Sequence, residues 1–222
     1  GVECKAAREN VALFDMSSFG KFMVQGKDAL GVLNRISGAN IDVPNGKMVY
    51  TQWLNERGGI EADLTVTRLE ENKFMVLSSG GTQTRDFHFL NSRTPADSNC
   101  IATDVTSGYT LFAIIGPNSR KLLQKFSPTD FSNEAFPFGT CQEIDLGYAR
   151  IMAGRITYVG ELGWELYIPA EYAVHVYDTL MEAGAEFDLK PGGMHAVNTL
   201  RLEKGFRHWG HDITDEDTVL EA

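Results

Sequence analysis

Three stretches of this chain carry side chains of the kind that bind and react. In the first, Leu54 to Val66, the Gly58-Gly59 pair marks a turn, because glycine takes positive φ without steric cost. Beyond it Asp63, Thr65 and Thr67 alternate with Leu64, Val66 and Leu69 at a period near two. One strand face then carries a carboxylate and two hydroxyls while the other is apolar. An aspartate in mid-strand runs against β propensity, and such a violation marks either a site or a solvated outer face. In the second stretch, Arg155 to Ile168, the residues Trp164, Leu166 and Ile168 share one strand face, and Glu165 and Tyr167 share the other. A carboxylate beside a tryptophan and tyrosines suits a flat heterocycle. It accepts two parallel hydrogen bonds from a ring N–H and an adjacent amino group, as it does from an arginine fork, and the rings offer a stacking surface. A surface glutamate on an edge strand fits the same pattern. The third stretch, Leu200 to Asp212, gathers basic and aromatic side chains where a helix ends, a place for an anion or another domain. The helix dipole alone accounts equally well for Lys204 and Arg207.

These groups need elements to hold them. A short helix over residues 2–10 leads into the chain, and Gly20 to Gln25 reads as a strand. Asp28 is placed to cap a helix over Ala29 to Ile36, whose Leu30, Leu33 and Ile36 recur at helical spacing. Strands follow at Lys47 to Leu54, Ile60 to Leu69 and Lys73 to Leu77, then a helix from about Gln83 to Leu90. Tyr109 to Ile115 is a buried strand, and Pro117 suits the first turn of a helix through Phe126. Residues 127–139 form an irregular connection, with a hairpin around Gly147 beyond it. The strand Trp164 to Ile168 precedes helices at Ala170 to Gly184 and Gly193 to Lys204. Antiparallel-looking strand pairs interleaved with helices favour α+β over a doubly wound fold. No sequence repeat is evident, and neither G-x-G-x-x-G after a strand nor a P-loop occurs.

The bulk composition narrows the function classes. With 222 residues, 43% hydrophobic and 23% charged, the chain is an ordinary globular protein of one large or two small domains. A net charge of −10 argues against nucleic acid or an anionic membrane surface as partner. No apolar run reaches the roughly 18 residues that span a bilayer. Cys4, Cys100 and Cys141 are too few and too scattered for a disulfide framework or a zinc pattern, and the five histidines show no ligand spacing. Residues 212–222 turn apolar again at Val219-Leu220, as a segment of a longer polypeptide would. That restart and the run Arg207 to His211 are expected to contact further domains.

The order Met16-Ser17-Ser18-Phe19-Gly20-Lys21, Asn55 to Leu64, Gly116-Pro117, Tyr158 to Glu165, then Leu200-Arg201-Leu202-Glu203 resembles the aminomethyltransferase family. Its type member is the T-protein of the glycine cleavage system. The run Arg207 to Ile213 is similar to the branch fused behind a flavin dehydrogenase, the dimethylglycine and sarcosine dehydrogenases. The resemblance implies two interlocked ferredoxin-like subdomains with antiparallel sheets, residues 1–222 forming one folate-binding domain without the family's C-terminal barrel. It implies tetrahydrofolate as cofactor, with FAD only in a missing upstream domain. The implied partners are folate, an iminium derived from an N-methyl amino acid, the dehydrogenase domain and the barrel, in the bacterial cytoplasm or the mitochondrial matrix.

Carried over by position, Asp63 matches the aspartate against the reactive face of tetrahydrofolate and is the implied catalytic residue. Tyr50 matches a folate-contacting tyrosine, and Tyr158 and Glu165 match the tyrosine and the pteridine-clamping glutamate. Thr65 falls where the dehydrogenase branch lines the same pocket. Two positions depart from the T-protein: Ser79 replaces an asparagine, and Val197 replaces an arginine that grips the folate tail, which leaves the tail to basic groups such as Arg207. The family also contains a silent reading, a regulatory or scaffold homologue like the regulatory subunit of pyruvate dehydrogenase phosphatase. A folate-dependent demethylase acting on another methyl donor is a further alternative.

Overall fold

A computed structural model describes residues 1–222. The chain forms two compact units, each assembled from two separate stretches. The first comprises Gly1–Ser17 and Ser107–Phe206, the second Ser18–Thr106 and Arg207–Ala222. In chain order the elements begin with α1 (Val2–Glu9), β1 (Ala12–Asp15), β2 (Gly20–Gln25), α2 (Ala29–Ile36), β3 (Met48–Leu54), β4 (Ile60–Glu70), β5 (Lys73–Ser78), α3 (Gln83–Arg93) and β6 (Ile101–Asp104). They continue with β7 (Tyr109–Ile115), α4 (Ser119–Leu123), β8 (Cys141–Leu146), β9 (Ala149–Gly154), β10 (Gly163–Pro169), α5 (Ala173–Gly184), β11 (Lys190–Gly192) and α6 (Met194–Glu203). No helix is long and apolar enough to cross a membrane.

The first unit holds a six-stranded sheet in the order β11-β1-β7-β10-β9-β8, antiparallel except where β1 and β11 run parallel. The second holds a five-stranded antiparallel sheet in the order β3-β4-β5-β2-β6. The α+β class and antiparallel sheets expected from the sequence are present, with three short strands, β1, β6 and β11, that the pattern did not suggest. The helix expected through Phe126 ends at Leu123. Asp28 does not cap α2 with its side chain, which accepts instead from the Asn99 amide at 2.7 Å.

Both units follow the same wiring, β-α-β-β-β-α-β, as β2-α2-β3-β4-β5-α3-β6 and as β7-α4-β8-β9-β10-α5-β11. The strand orders also correspond, with β1 inserted between β7 and β11. The repeat is one of wiring and not of sequence. Once the wiring is aligned, a local match emerges from Gly26-Lys27-Asp28 to Ser37 and from Gly116-Pro117-Asn118 to Ser127. It pairs Val32-Leu33-Asn34-Arg35 with Leu122-Leu123-Gln124-Lys125.

The backbone repeats as well. Ala29 N–H donates to Gly26 O and Ser119 N–H to Gly116 O, each at 3.0 Å. Val32 donates to Asp28 O and Leu122 to Asn118 O, again each at 3.0 Å. Gly26 and Gly116 adopt φ of 129° and 137°, where a side chain is strained. A Cβ would stand 2.1 Å from Asn99 O at Gly26 and 2.5 Å from Asn10 O at Gly116. The strand-to-helix corner thus passes so close to a neighbouring backbone that glycine is required in each copy.

Each unit has its own core. In the second, Val32, Leu33 and Ile36 of α2 meet Ala62, Leu64 and Val66 of β4, and Trp53 stacks on Phe89 at 5.8 Å. In the first, Trp164, Leu166 and Ile168 of β10 pack with Val176 and Leu180 of α5. The irregular 127–139 connection joins that core through Phe131 and Phe136, both set edge-on to Trp164. Arg120 and Arg155 hold it from outside, donating to Asn133 Oδ1 at 2.7 and 2.8 Å.

The segment after α6 does not simply await another domain. Trp209 Nε1 donates to Ile60 O at 2.7 Å, Ile60 N–H donates to Asp217 O at 3.0 Å, and Ile213 is buried, so the segment is stitched to the start of β4. The apolar Val219 and Leu220 at its end stay exposed, Leu220 at 94%.

Gly116→Ala is expected to lower the unfolding free energy by roughly 2 kcal/mol or more, and Gly26→Ala likewise, since each adds strained φ and a backbone clash. Gly31→Ala, at an exposed helical position open around the new methyl, is expected to raise it by about 0.5–1 kcal/mol. Urea unfolding of the three variants checks the contrast.

Candidate functional site

The sequence-selected residues fall in both units, and each group has its own geometry. In the second unit, β3 and β4 pair so that Gln52 lies opposite Asp63 and Tyr50 opposite Thr65. Ala62, Leu64 and Val66 enter the core, so Asp63 and Thr65 project from the other sheet face, as their alternation required. Asp63 Oδ1 accepts from Gln52 Nε2 at 2.9 Å, and the carboxylate also accepts from the Tyr50 hydroxyl. Burial pushes the Asp63 carboxyl above the ordinary aspartate value, and the bonds from Tyr50 and Gln52 draw it partly back.

Ser79 follows β5 before α3, just beyond the last pair of the β4–β5 ladder, Thr65 with Leu77. On the same face Lys21 of β2 lies opposite Leu77, completing a row of Tyr50, Thr65, Leu77 and Lys21 across four strands. Lys21 is wholly buried, and its Nζ donates to Phe19 O at 2.8 Å. The structure therefore brings together Tyr50, Asp63 and Thr65, leaves Ser79 just past the end of β5, and adds Gln52 and Lys21, which sequence reasoning missed. Lys21 closes the first family-like motif, a signal that was available. Gln52 is a neutral amide with no motif, and only its cross-strand register reveals it. Arg207 is exposed at the start of the stretch that follows α6.

In the first unit, Glu165 occupies the middle of the sheet, paired with Ala113 of β7 and Gly154 of β9. It is 6% exposed, so neither an edge strand nor a surface position describes it. Its one hydrogen-bond partner is Tyr167, whose hydroxyl donates to Oε2 at 3.0 Å. Burial pushes the Glu165 carboxyl up to about 7, against an opposing pull from the Tyr167 bond. A carboxylate has about four acceptor sites, and here one is used.

Tyr158 lies in the loop between β9 and β10, with its ring stacked near-parallel to Phe206 at 6.1 Å. Arg8 ties this loop to α6: it donates to Val159 O and Glu161 on one side and to Leu200 O and Glu203 on the other. Arg201 holds Phe206 in turn through a 3.0 Å bond to its carbonyl, while Nε and the other guanidine nitrogen bond Asn198 Oδ1. Val197 is buried in α6 one turn before Arg201, a packing position that offers no grip on an anionic tail.

The titration of Glu165 has a stability consequence. Because its folded value is raised from 4.5 to about 7, its contribution is fully present below about pH 4.5 and is lost as pH rises through about 7. At about 1.4 kcal/mol per pH unit, the loss is on the order of 3 kcal/mol. Glu165→Gln is expected to match the parent at pH 4.5 and to exceed it by roughly that amount at pH 8, as read by urea unfolding. A buried carboxyl that weakens the fold at neutral pH is a candidate for a functional rather than a structural group.

The profile of the GCVT N-terminal domain family matches residues 1–222. The chain is 47% identical over 222 residues to 4-methylaminobutanoate oxidase (formaldehyde-forming) of Paenarthrobacter nicotinovorans, covering 99% of this chain and 27% of that protein. It is 39% identical to the mitochondrial pyruvate dehydrogenase phosphatase regulatory subunit of Mus musculus, covering 99% and 25%. With the mitochondrial sarcosine dehydrogenase of Homo sapiens the identity is 40%, covering 99% and 26%. The chain thus spans about a quarter of the length of these relatives. Among solved structures, the glycine cleavage system aminomethyltransferase T of Bartonella henselae superposes with a TM-score of 0.86 at 28% identity, over 98% of this chain and 57% of that one. With the family profile spanning the whole chain and the T-protein fold reproduced, this protein belongs to the aminomethyltransferase family as its GCVT N-terminal domain.

Proposed function

We propose that this chain is the tetrahydrofolate-binding part of a flavin-dependent dehydrogenase of N-methylglycine type, and that it captures the released one-carbon unit as 5,10-methylenetetrahydrofolate. The observation that carries the reading is Glu165, a carboxyl buried in mid-sheet with a single hydrogen bond and acceptor capacity to spare. A pterin offers the ring N–H and adjacent amino group that such a carboxylate accepts in parallel. Tetrahydrofolate would supply the nucleophilic nitrogens that take up the one-carbon unit.

The roles of this chain's own residues follow from their settings. Glu165 anchors the heterocycle, with the ring of Tyr158, stacked on Phe206, assigned to the same site by its place in the family motif. Asp63, held by Gln52 and Tyr50 and raised in proton affinity by burial, would accept the proton lost by the folate nitrogen and return it to the amino-acid nitrogen, whose bond to the carbon breaks as it leaves as the free amine. Its charge also favours the cationic iminium. Tyr50 is 57% exposed, and Thr65 lies opposite it on the same sheet face, with Ser79 assigned to the same site by its place in the family motif. Arg207 is assigned to the anionic tail in place of the arginine that Val197 replaces.

Relatives named for sarcosine and for 4-methylaminobutanoate both act on N-methylamino acids, and one is named as formaldehyde-forming, which supports a one-carbon unit at that oxidation level. The flavin and the N-methyl substrate would be held by other parts of the protein. Bacterial and mitochondrial relatives support cytoplasm or matrix as the setting. A second reading, a silent regulatory homologue, is favoured by the 39% identity to the phosphatase regulatory subunit.

Folate binding separates the two readings. Glu165→Gln is expected to weaken folate affinity at least about tenfold by calorimetry, since charge-assisted hydrogen bonds are worth roughly 1.5–3 kcal/mol each. Parent protein with no folate affinity would support the regulatory reading instead. In the full-length enzyme, Asp63→Ala is expected to cut the yield of methylenetetrahydrofolate while flavin reduction by the N-methyl substrate stays intact. Unchanged yield would remove Asp63 from the chemistry.

A further inference from the structure

Tyr167 is not among the residues matched to the family's folate site, yet it is the sole hydrogen-bond partner of the Glu165 carboxyl. It stands two residues along β10 on the same face, and both side chains are buried. The strands on either side present nothing polar there: β7 offers Ala113 and β9 offers Gly154. The titratable groups facing Glu165 are Tyr167 and, from β8, Cys141. Burial and the Glu165 charge push the Cys141 thiol up to about 12, so it stays neutral. The Tyr167 phenol is pushed well above its usual value by burial and by Glu165, so it remains a donor throughout the neutral range.

We infer that Tyr167 is a positioning residue for the folate anchor: its hydroxyl fixes the plane of the Glu165 carboxyl so that the carboxylate meets two parallel N–H donors without reorienting. This rests on the reading of Glu165 as the anchor. The terminal torsion of a glutamate is broad and roughly two-fold, so the carboxyl plane needs an external constraint. In this part of the sheet only the Tyr167 hydroxyl provides one. A donor bonded to the ionised form also favours that form, so the same hydroxyl eases the charging of Glu165.

The test is the pH profile of affinity for 5-formyltetrahydrofolate, a redox-stable probe, measured by calorimetry from pH 6 to 9 on the full-length protein, Tyr167→Phe and Glu165→Gln. Tyr167→Phe is isosteric apart from the hydroxyl. It is expected to bind about tenfold more weakly at pH 7, with the midpoint of the profile displaced upward by about one pH unit. At pH 9 its affinity is expected to return to within about threefold of the parent. A loss equal at every pH would reduce Tyr167 to packing, and no loss would remove it altogether; either overturns the inference. Glu165→Gln answers a separate question. If it binds as the parent does, the anchor reading fails. If it loses about tenfold or more while Tyr167→Phe keeps the parent profile, the role of Tyr167 alone is rejected.

Discussion

Glu165 is buried to all but 6% of its surface, between two neighbouring strands that offer it no polar partner. An ionised carboxylate in such a place is costly unless hydrogen bonds replace its lost hydration. One bond from Tyr167 replaces only part of it, and the carboxyl is raised to about 7 as a result. The site described in the first unit depends on this imbalance. The sheet is built around a carboxyl with one partner within the protein, and under the proposed function a ligand with two N–H donors would supply the rest. Cores normally satisfy buried polar atoms, so the shortfall points to binding rather than to stability.

The second carboxylate is handled differently. Asp63 lies on a sheet face rather than deep in it, and Gln52 and Tyr50 from the adjacent strand both donate to it. Burial raises its proton affinity and the two bonds draw it partly back. Two units with the same wiring therefore carry two carboxylates in different environments: Asp63 on β4 of one, Glu165 on β10 of the other. In both units a glycine with positive φ turns the first strand into its helix, and this corner has been kept while the strand chemistry differs.

Much of this was legible in the chain. The alternation after Gly58-Gly59 correctly placed Asp63 and Thr65 on the face opposite Leu64 and Val66, because a period of two is local information. The same rule put Glu165 with Tyr167 and against Trp164. Whether β10 lay at the edge or the centre was not legible, since that depends on pairing with Tyr109–Ile115, some fifty residues away, and with β9. The strand β11, Lys-Pro-Gly, has no apolar pattern and exists because β1 offers it a parallel partner. The shared wiring was hidden because the two units share little in sequence beyond a glycine, an amide or acid two residues on, and one helix face. The helix expected through Phe126 stops at Leu123. The turn that follows lets Gln124 bond the carbonyls of Ser127 and Thr129, a local competition that propensity does not weigh.

The central claim, that the Glu165 carboxyl must be ionised to hold a folate, is most directly tested by counting protons. Calorimetry of 5-formyltetrahydrofolate binding at pH 7, repeated in buffers of different ionisation enthalpy, gives the number of protons released per ligand bound. With the carboxyl poised at about 7 before binding, the account gives a release of roughly half a proton at pH 7, fading toward zero by pH 9. Binding at full affinity with no proton release at pH 7, or with uptake, would contradict it.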